Sequence, residues 1–417
     1  MCIRDSENAG RGAAEAIDLI APVGDVVILG GKGNNAGDGY IIAGLAREAL
    51  LDVTLVQLGD AAELRGDAAR ARDWALARGV VIRATGAPTE ADVVVDALLG
   101  TGLRGEVREP YAAAIAAING ARAPVLAVDI PSGVDADSGA VLGAAIRADL
   151  TVTFIGRKLG LHTGPGLDCR GELVFADLGV PSAVFRRLSG CPLLSFPELE
   201  PAFRLPRRSA NVYKQALGHV AVVGGDVNMG GAPIMAAEAA LRVGAGMVTM
   251  VTRAVHRPAV LARRPEIMVA DADDAAQRRR AFERATCLVV GPGFGGSPWA
   301  EGLLKETLAL GKPLILDADG LNLLAALDLE PQCPIVITPH AGEAARLLAV
   351  DSAEVQSDRP DAARRLARRV GGTAVLKGAG SLVASAPVGG GDGPELLGVC
   401  AHGNPGMASA GMGDVLS

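Results

Sequence analysis

Aromatic residues make up only 3% of this 417-residue chain, so its cores cannot be organised around large rings. The six cysteines (Cys2, Cys169, Cys191, Cys287, Cys333 and Cys400) are scattered and form no CxxC pair. That excludes a zinc ribbon or a disulfide framework and fits reduced thiols in a cytoplasmic protein. The longest uncharged helical run, 111–121, is far below the roughly 20 apolar residues of a membrane span. No basic segment followed by an apolar stretch opens the chain, so no signal peptide is expected. Net charge is −7 with no basic stripe interleaved with aromatics, which argues against nucleic-acid binding. The arginine clusters Arg278–Arg280 and Arg364-Arg365 read as solvated helix faces. No Walker A sequence occurs, which excludes a P-loop phosphotransferase.

What is present is small and apolar. Hydrophobic residues make up 49% of the chain, mostly Ala, Val and Leu, beside 55 Gly. Short β-branched runs alternate with helical stretches, the pattern of parallel sheets covered on both faces. In the first half strands are predicted at 25–30, 52–58, 92–96, 124–129, 150–155 and 172–177, with helices at 37–50, 61–78 and 111–118. The rhythm stops over 181–211, a stretch rich in Pro and Arg, and resumes with strands at 219–224, 247–252, 287–290, 313–317, 335–338 and 373–377. Helices are predicted at 233–243, 298–310, 342–348 and 361–370, and a flexible hairpin at Gly389–Gly391. Two α/β domains are expected, at 7–200 and 201–417. Met1–Ser6 has no pattern joining it to the helix-like segment after it, and the chain stops where a helix is starting; truncation at both ends is expected.

In the first domain a strand runs into Gly31-Lys32-Gly33-Asn34-Asn35-Ala36-Gly37-Asp38-Gly39. Glycines there let backbone approach a ligand, and the following helix N-terminus favours a phosphate. Gly31, Gly33 and Ala36 satisfy GxGxxG/A, with Asp60 near the place of a ribose-binding acid, so a dehydrogenase reading stays open. The turn alone does not require the Asn pair or Asp38. Asp96 ends another strand and leads into Gly100-Thr101-Gly102-Leu103-Arg104-Gly105-Glu106; Asp129 ends a third and leads into Ile130-Pro131-Ser132-Gly133. Ligands of open parallel sheets bind at such C-terminal strand ends.

In the second domain the same kind of strand end recurs in Val290-Gly291-Pro292-Gly293, Asp317-Ala318-Asp319-Gly320, Thr338-Pro339-His340-Ala341-Gly342-Glu343 and Lys377-Gly378-Ala379-Gly380-Ser381. The chain closes on Gly411-Met412-Gly413-Asp414, a glycine turn opening a helix. Such a turn offers free N–H groups to an anion, and its Asp can take a proton from a hydroxyl attacking phosphorus. A small-molecule kinase is an alternative here, because it uses the same carboxylate. A non-catalytic dinucleotide sensor is an alternative for the first domain.

GKGNNAGDG, DALLGTGLRGE and DIPSGVDADSG resemble the motifs of NAD(P)H-hydrate epimerases. Gly224-Gly225-Asp226, VGPG, DADGLN, TPHAGE, KGAGS and GMGD, in that order, resemble the ADP-dependent NAD(P)H-hydrate dehydratases. The resemblance implies a Rossmann-like three-layer sandwich followed by a ribokinase-like α/β domain. It implies that the substrates are hydrated NADH and NADPH (NADHX, NADPHX), with ADP as co-substrate. Asn34, Asn35, Ala36, Gly37, Asp38 and the 100–106 loop would hold the hydrate, with Asp129 as acid/base. Asn35, Asp96 and Ser132 would coordinate potassium. In the second domain Ala232, Gly293 and His340 would contact the hydrated dinucleotide. Lys377, Gly378, Ala379, Gly380, Ser381 and Gly413 would bind the adenine nucleotide with magnesium, and Asp414 would act at the hydrated ring. Ala36, Tyr213, Ala410 and Met412 depart from residues common in these families. A homo-oligomer is expected.

Overall fold

The computed structural model describes residues 9, 12, 24–84, 91–185, 187, 190–195, 208–387, 393 and 395–417. Met1–Ser6, the Gly389–Gly391 hairpin and part of the Pro/Arg-rich stretch lie outside the described residues. The chain divides into two units, Met1–Gly190 and Cys191–Ser417.

The first unit is a seven-stranded sheet of β1 (Asp25–Gly30), β2 (Asp52–Gln57), β3 (Val81–Arg83), β4 (Val93–Ala97), β5 (Val125–Val128), β6 (Leu150–Phe154) and β7 (Glu172–Ala176). Its order is β3-β2-β1-β4-β5-β6-β7, parallel throughout. Side chains alternate across a strand, and the core divides accordingly. Val26, Ile28, Val53, Leu55, Val93 and Val95 pack with α1 (Asn34–Glu48) and α2 (Gly66–Leu76) on one face. Leu29, Val56, Val94 and Ala127 pack with α3 (Tyr111–Asn119) on the other. This is the three-layer Rossmann-like sandwich. The order reverses direction between β1 and β4, the switch point at which such sheets open a crevice.

Two expectations for this unit are corrected. The single helix predicted over 61–78 is a 3-10 turn (Ala61–Glu63) followed by α2, because Gly66 takes φ +60° and interrupts the helical path. Strand β3 was not predicted: Val81-Ile82-Arg83 is a three-residue edge strand, too short to show a period.

The second unit contains β8 (Leu193–Leu194), β9 (His219–Val223), β10 (Met247–Thr252), β11 (Met268–Asp271), β12 (Cys287–Val290), β13 (Leu314–Leu316), β14 (Ile335–Ile337), β15 (Thr373–Leu376), β16 (Leu382–Ser385) and β17 (Glu395–Cys400). Their order is β11-β10-β9-β12-β13-β14-β15-β16-β17-β8. From β11 to β15 all pairs are parallel; β16 and β17 turn back antiparallel, and β8 pairs with β17. The β8 pairing puts the boundary between units ten residues before the expected 200/201. Strands β8, β11, β16 and β17 were not predicted, being short or edge elements without long apolar runs.

Helices α4 (Gly231–Val243), α5 (Arg257–Arg263), α6 (Ala275–Arg284), α7 (Pro298–Ala309), α8 (Asp319–Ala326), α9 (Ala341–Leu348), α10 (Ser352–Ser357), α11 (Arg359–Val370) and α12 (Met412–Leu416) complete this ribokinase-like unit. Ile234, Ala237 and Val260 seat α4 and α5 against Val222, Val248 and Met250. The arginine clusters lie on α6 and α11, where Arg278 pairs with Glu306 and Arg365 with Glu354. No helix among the described residues is long and apolar enough to cross a membrane.

Candidate active sites

The three motif-bearing strand ends of the first unit, β1, β4 and β5, are neighbours in the sheet. The β1–α1 turn passes so close to the β4 end that a Cβ on Gly31 would lie 2.0 Å from the Leu98 carbonyl oxygen; only glycine fits. Gln57 pins the turn by donating from Nε2 to the Gly31 carbonyl (2.7 Å), while Tyr40 donates to Gln57 Oε1 (2.9 Å). Helix α1 opens at Asn34, with Asn34 exposed and Asn35, Ala36, Gly37 and Asp38 buried. Asp60 caps the Ala61–Glu63 turn, accepting from the Ala62 N–H at 2.8 Å.

At the β4 end Asp96 is wholly buried. Its carboxylate accepts from the Ser132 N–H (2.8 Å), the Ser132 hydroxyl (2.6 Å) and the Leu98 N–H (3.2 Å). Burial pushes its carboxyl up to about 6, against the lowering effect of those donors. Ser132 Oγ also accepts from the Leu99 N–H (2.8 Å), and Asn35 Nδ2 donates to the Leu99 carbonyl (3.1 Å). Asn35, Asp96 and Ser132 therefore meet around the Leu99 carbonyl. This is an all-oxygen donor set with a single carboxylate, which fits a hard monovalent cation. Among the described residues no group of three His, Cys, Asp or Glu side chains could hold a metal ion.

At the β5 end Asp129 has φ +68°, an uncommon conformation for a non-glycine residue that turns its side chain toward the end of β6. There Oδ1 accepts from the Phe154 N–H (3.1 Å) and from the ammonium of Lys158, which also donates to the Phe154 carbonyl (3.0 Å) and Thr153 Oγ1 (3.1 Å). Lys158 was missed from sequence, although it follows a strand end as the carboxylates do. The loop from Thr101 to Glu106 is largely exposed beside Gly100, and a Cβ on Gly100 would lie 3.3 Å from Asn35 Cβ.

In the second unit β9, β12, β13, β14 and β15 are contiguous. The five motifs after them consequently line one sheet edge. The first two zip together through Gly225 N–H to Pro292 O (3.0 Å) and Asp226 N–H to Gly293 O (2.8 Å). Asp226 accepts from Arg253 Nε (2.9 Å) and the Ser297 hydroxyl (2.6 Å). Burial raises its carboxyl, but Ser297, the Val227 N–H and Arg253 together outweigh that and hold it below the usual range. Asp319 accepts from the Gly295 N–H at 2.8 Å.

The centre of this edge is charged. Asp317, 1% exposed, accepts from Lys377 Nζ at 2.7 Å and from the Ser417 hydroxyl at 2.5 Å. Helix α12 brings Gly413 so near that its Cβ would stand 3.2 Å from Lys377 Nζ. Asp414, the next residue, is half-buried, and its carboxyl is raised by burial and by Asp317 and Asp319, with Lys377 opposing. Its carboxylate accepts no hydrogen bond among the described residues. His340 caps α9: Nδ1 accepts from the Gly342 (3.0 Å) and Glu343 (3.4 Å) N–H groups, and Nε2 lies 3.3 Å from Glu343 Oε1. The ring stays more than half exposed. Glu343 is raised by burial. Ala232 lies in the first turn of α4 and Gly293 in the turn after β12. Gly378 to Ser381 form the turn after β15, in which Ser381 Oγ donates to the Gly378 carbonyl (3.1 Å).

Behind that turn sits Arg359, also missed from sequence. It is fully buried, and burial lowers it to about 10. It donates toward the Leu376 (3.3 Å) and Lys377 (3.4 Å) carbonyls. A cation holding strand-end carbonyls leaves no sequence signal beyond one arginine at the first position of an amphipathic helix.

Both halves match known family models: residues 6–160 the YjeF-related protein N-terminus, and residues 220–417 the NAD(P)H-hydrate dehydratase. The bifunctional NAD(P)H-hydrate repair enzyme Nnr of Coxiella burnetii is 45% identical over 416 residues, covering 98% of this chain and 83% of that protein. Its namesake from Escherichia coli K12 is 43% identical over 393 residues, covering 94% and 74%. The chain belongs to the bifunctional NAD(P)H-hydrate repair enzyme family. A solved ADP/ATP-dependent NAD(P)H-hydrate dehydratase of Bacillus subtilis, co-crystallised with ATP and Mg2+, is 25% identical with a TM-score of 0.45, covering 55% of this chain and 78% of that one. Family membership resolves the open readings of the glycine motifs. The Gly31–Ala36 match opens an epimerase-type crevice rather than a dehydrogenase site, and GMGD stands in a dehydratase-type unit rather than a vitamin or sugar kinase.

Proposed function

We propose that the two units perform successive steps on one damaged cofactor. The first interconverts the R and S epimers of hydrated NADH and NADPH. The second dehydrates the S epimer with ADP, yielding NAD(P)H, AMP and phosphate. The enzyme is thus an isomerase and a lyase on one chain.

In the first unit the hydrate lies across the β1–β4 crevice, held by Asn34 to Asp38 and by the 100–106 loop. Asp129 takes the proton of the carbon-6 hydroxyl as the bond from carbon 6 to the ring nitrogen opens to an aldehyde, the nitrogen gaining a proton, and the reverse steps re-form that bond on the other face; Lys158 fixes the orientation of the Asp129 carboxylate. Asn35, Asp96 and Ser132 would hold potassium, whose charge would offset the buried carboxylate.

In the second unit Asp414 takes the proton of the carbon-6 hydroxyl as its oxygen attacks the terminal phosphorus of ADP and AMP departs. Phosphate then leaves carbon 6 as a far better leaving group than hydroxide, and loss of the carbon-5 proton restores the ring double bond. Lys377 to Ser381 and Gly413 hold the nucleotide, and Ala232, Gly293 and the exposed ring of His340 contact the dinucleotide. Magnesium would enter with the phosphates. The enzyme acts in the cytoplasm as a homo-oligomer.

The observation that carries this reading is the convergence of Asp317, Lys377, Gly413 and Asp414 at one sheet edge. Chromatography of S-NADHX incubated with the protein, Mg2+ and ADP tests it: NADH, AMP and phosphate should form in equal amounts. NADHX left unchanged by ADP and by ATP, or a stable phosphorylated vitamin or sugar, sinks the dehydratase assignment.

A further inference from the structure

Asp317, Thr338 and Lys377 follow the C-terminal ends of three adjacent strands, β13, β14 and β15. The register pairs Leu316 with Ile337 and Ile337 with Ala374. The ladder continues beyond the strand ends through Thr338 N–H to Leu316 O (3.2 Å) and Lys377 N–H to Pro339 O (2.8 Å). Extending it by one residue sets Asp317, Thr338 and Val375 in one row, and Lys377 lies two residues past Val375. Residues paired across a sheet, and residues two apart along a strand, share a face. Asp317, Thr338 and Lys377 thus project from the same face. The 2.7 Å bridge from Lys377 Nζ to Asp317 Oδ1 spans the middle strand that carries Thr338.

Thr338 is 4% exposed, and its Oγ1 has no hydrogen-bond partner among the described residues. A hydroxyl left buried and unpaired costs stability, and native structures retain such groups when a ligand or ion completes them. Valine has nearly the same shape without that cost, and valine and isoleucine fill the flanking positions Val336 and Ile337. The hydroxyl is therefore a group in want of an acceptor, on the face that carries the Lys377–Asp317 bridge, which Gly413 also approaches.

We propose that the Thr338 hydroxyl donates a hydrogen bond to a phosphoryl oxygen bound at this edge, making it a third protein contact beside Lys377 and Gly413. This deepens the dehydratase assignment and rests on it. Two sources share that chemistry: the terminal phosphate of ADP and the pyrophosphate of the hydrated dinucleotide. The structure favours ADP, because Lys377 and the Gly378–Ser381 turn sit on the adjoining strand end.

The test uses Thr338→Val, Thr338→Ala and Thr338→Ser in the intact chain, with calorimetric titration of ADP and separately of S-NADHX. Loss of one such bond corresponds to about tenfold weaker binding. The expected result is that Val and Ala weaken ADP by about tenfold, Ser restores it, and S-NADHX affinity is unchanged. Weakening confined to S-NADHX upholds the phosphoryl contact and moves it to the dinucleotide. The ligand-free Val variant should melt no lower than the parent, which a merely structural threonine would not allow. If Val fails to fold, Ala against Ser carries the comparison. Unchanged affinity for both ligands in the Val or Ala variant overturns the proposal. A parent that binds ADP but does not turn over S-NADHX overturns the dehydratase assignment instead, so the two failures are distinguishable.

Discussion

The two candidate sites place the carboxylates proposed as their acid/base groups in opposite ways. Asp129 in the first unit is already held, its Oδ1 accepting from Lys158 and a backbone N–H within one strand-end layer. Asp414 in the second unit stands on a five-residue helix and accepts no hydrogen bond among the described residues; it is surrounded by charge instead. The first carboxylate is preorganised by the fold. The second has its proton affinity set by neighbours and is completed by whatever binds. An isomerisation that must run in both directions needs a fixed group, whereas a phosphoryl transfer gains most from positioning two ligands.

This contrast should be sharpest in the two carboxamide substitutions. General acid–base groups contribute about 10²–10⁴-fold. Asp414→Asn should lower dehydration by about that factor, leave R–S interconversion intact and leave melting nearly unchanged, because it breaks no bond. Asp129→Asn should lower interconversion similarly and spare dehydration of pure S-NADHX. Chromatography of both epimers and of NADH reads all four quantities. Loss of both activities in either variant removes the assignment of one carboxylate to each step.

Removing the cations should distinguish a structural partner from a tuning one. Lys158→Met strips Asp129 of its only cationic partner among the described residues, in a site where both side chains are under a fifth exposed, and losing a hydrogen bond to a charged group costs about 1–3 kcal/mol. The first unit should therefore melt earlier as well as lose activity, an outcome not expected of Asp414→Asn. A Lys158→Met protein with unchanged melting would mean that the pair is not holding the β5–β6 edge together.

In the second unit the same logic appears as pH dependence. A base whose carboxyl is raised loses activity as pH falls through a value above that of an ordinary aspartate, so the acid limb of kcat/KM for dehydration should be shifted in that direction. Asp317 raises Asp414 and Lys377 lowers it. Asp317→Asn should therefore move the limb to lower pH and Lys377→Met to higher pH, whatever each does to the maximal rate. Shifts in the same direction would show that the limb belongs to another group.

How much of this was readable in advance depends on the physics of each signal. Parallel strands buried on both faces announce themselves as apolar runs, so β1, β4 and β5 and their glycine turns were legible; the grouping of Asp96 with Ser132 came only from the family resemblance. Lys158 and Arg359 were not legible, because a lone cation carries no pattern and the groups that give each its place, Asp129 for Lys158 and the Leu376 and Lys377 carbonyls for Arg359, lie far along the chain. Thr338 could be seen as part of a motif, but its lack of a partner is a property of the packed sheet alone. Strands β16 and β17 were missed for a related reason: antiparallel strands of four and six residues that are only partly buried show no long apolar run.

The smallest expected effect concerns the potassium ion proposed for the first unit. Asp96 is raised from its unfolded value to about 6 by burial, so between pH ~4 and ~6 the folded state binds the extra proton. Stability of the ligand-free unit should then fall as pH rises across that window and level off above it. A potassium ion among Asn35, Asp96 and Ser132 favours the ionised carboxylate, so its benefit should be present near pH 7.5 and fade toward pH 5. A gain of about 1 kcal/mol would raise the melting temperature by about 2–4 °C for a unit of this size. Thermal scans in potassium against a large organic cation at both pH values measure it. In Asp96→Asn both the fall with pH and the potassium increment should vanish together, because one buried charge produces both. A potassium increment that persists in Asp96→Asn would place the cation elsewhere in the protein.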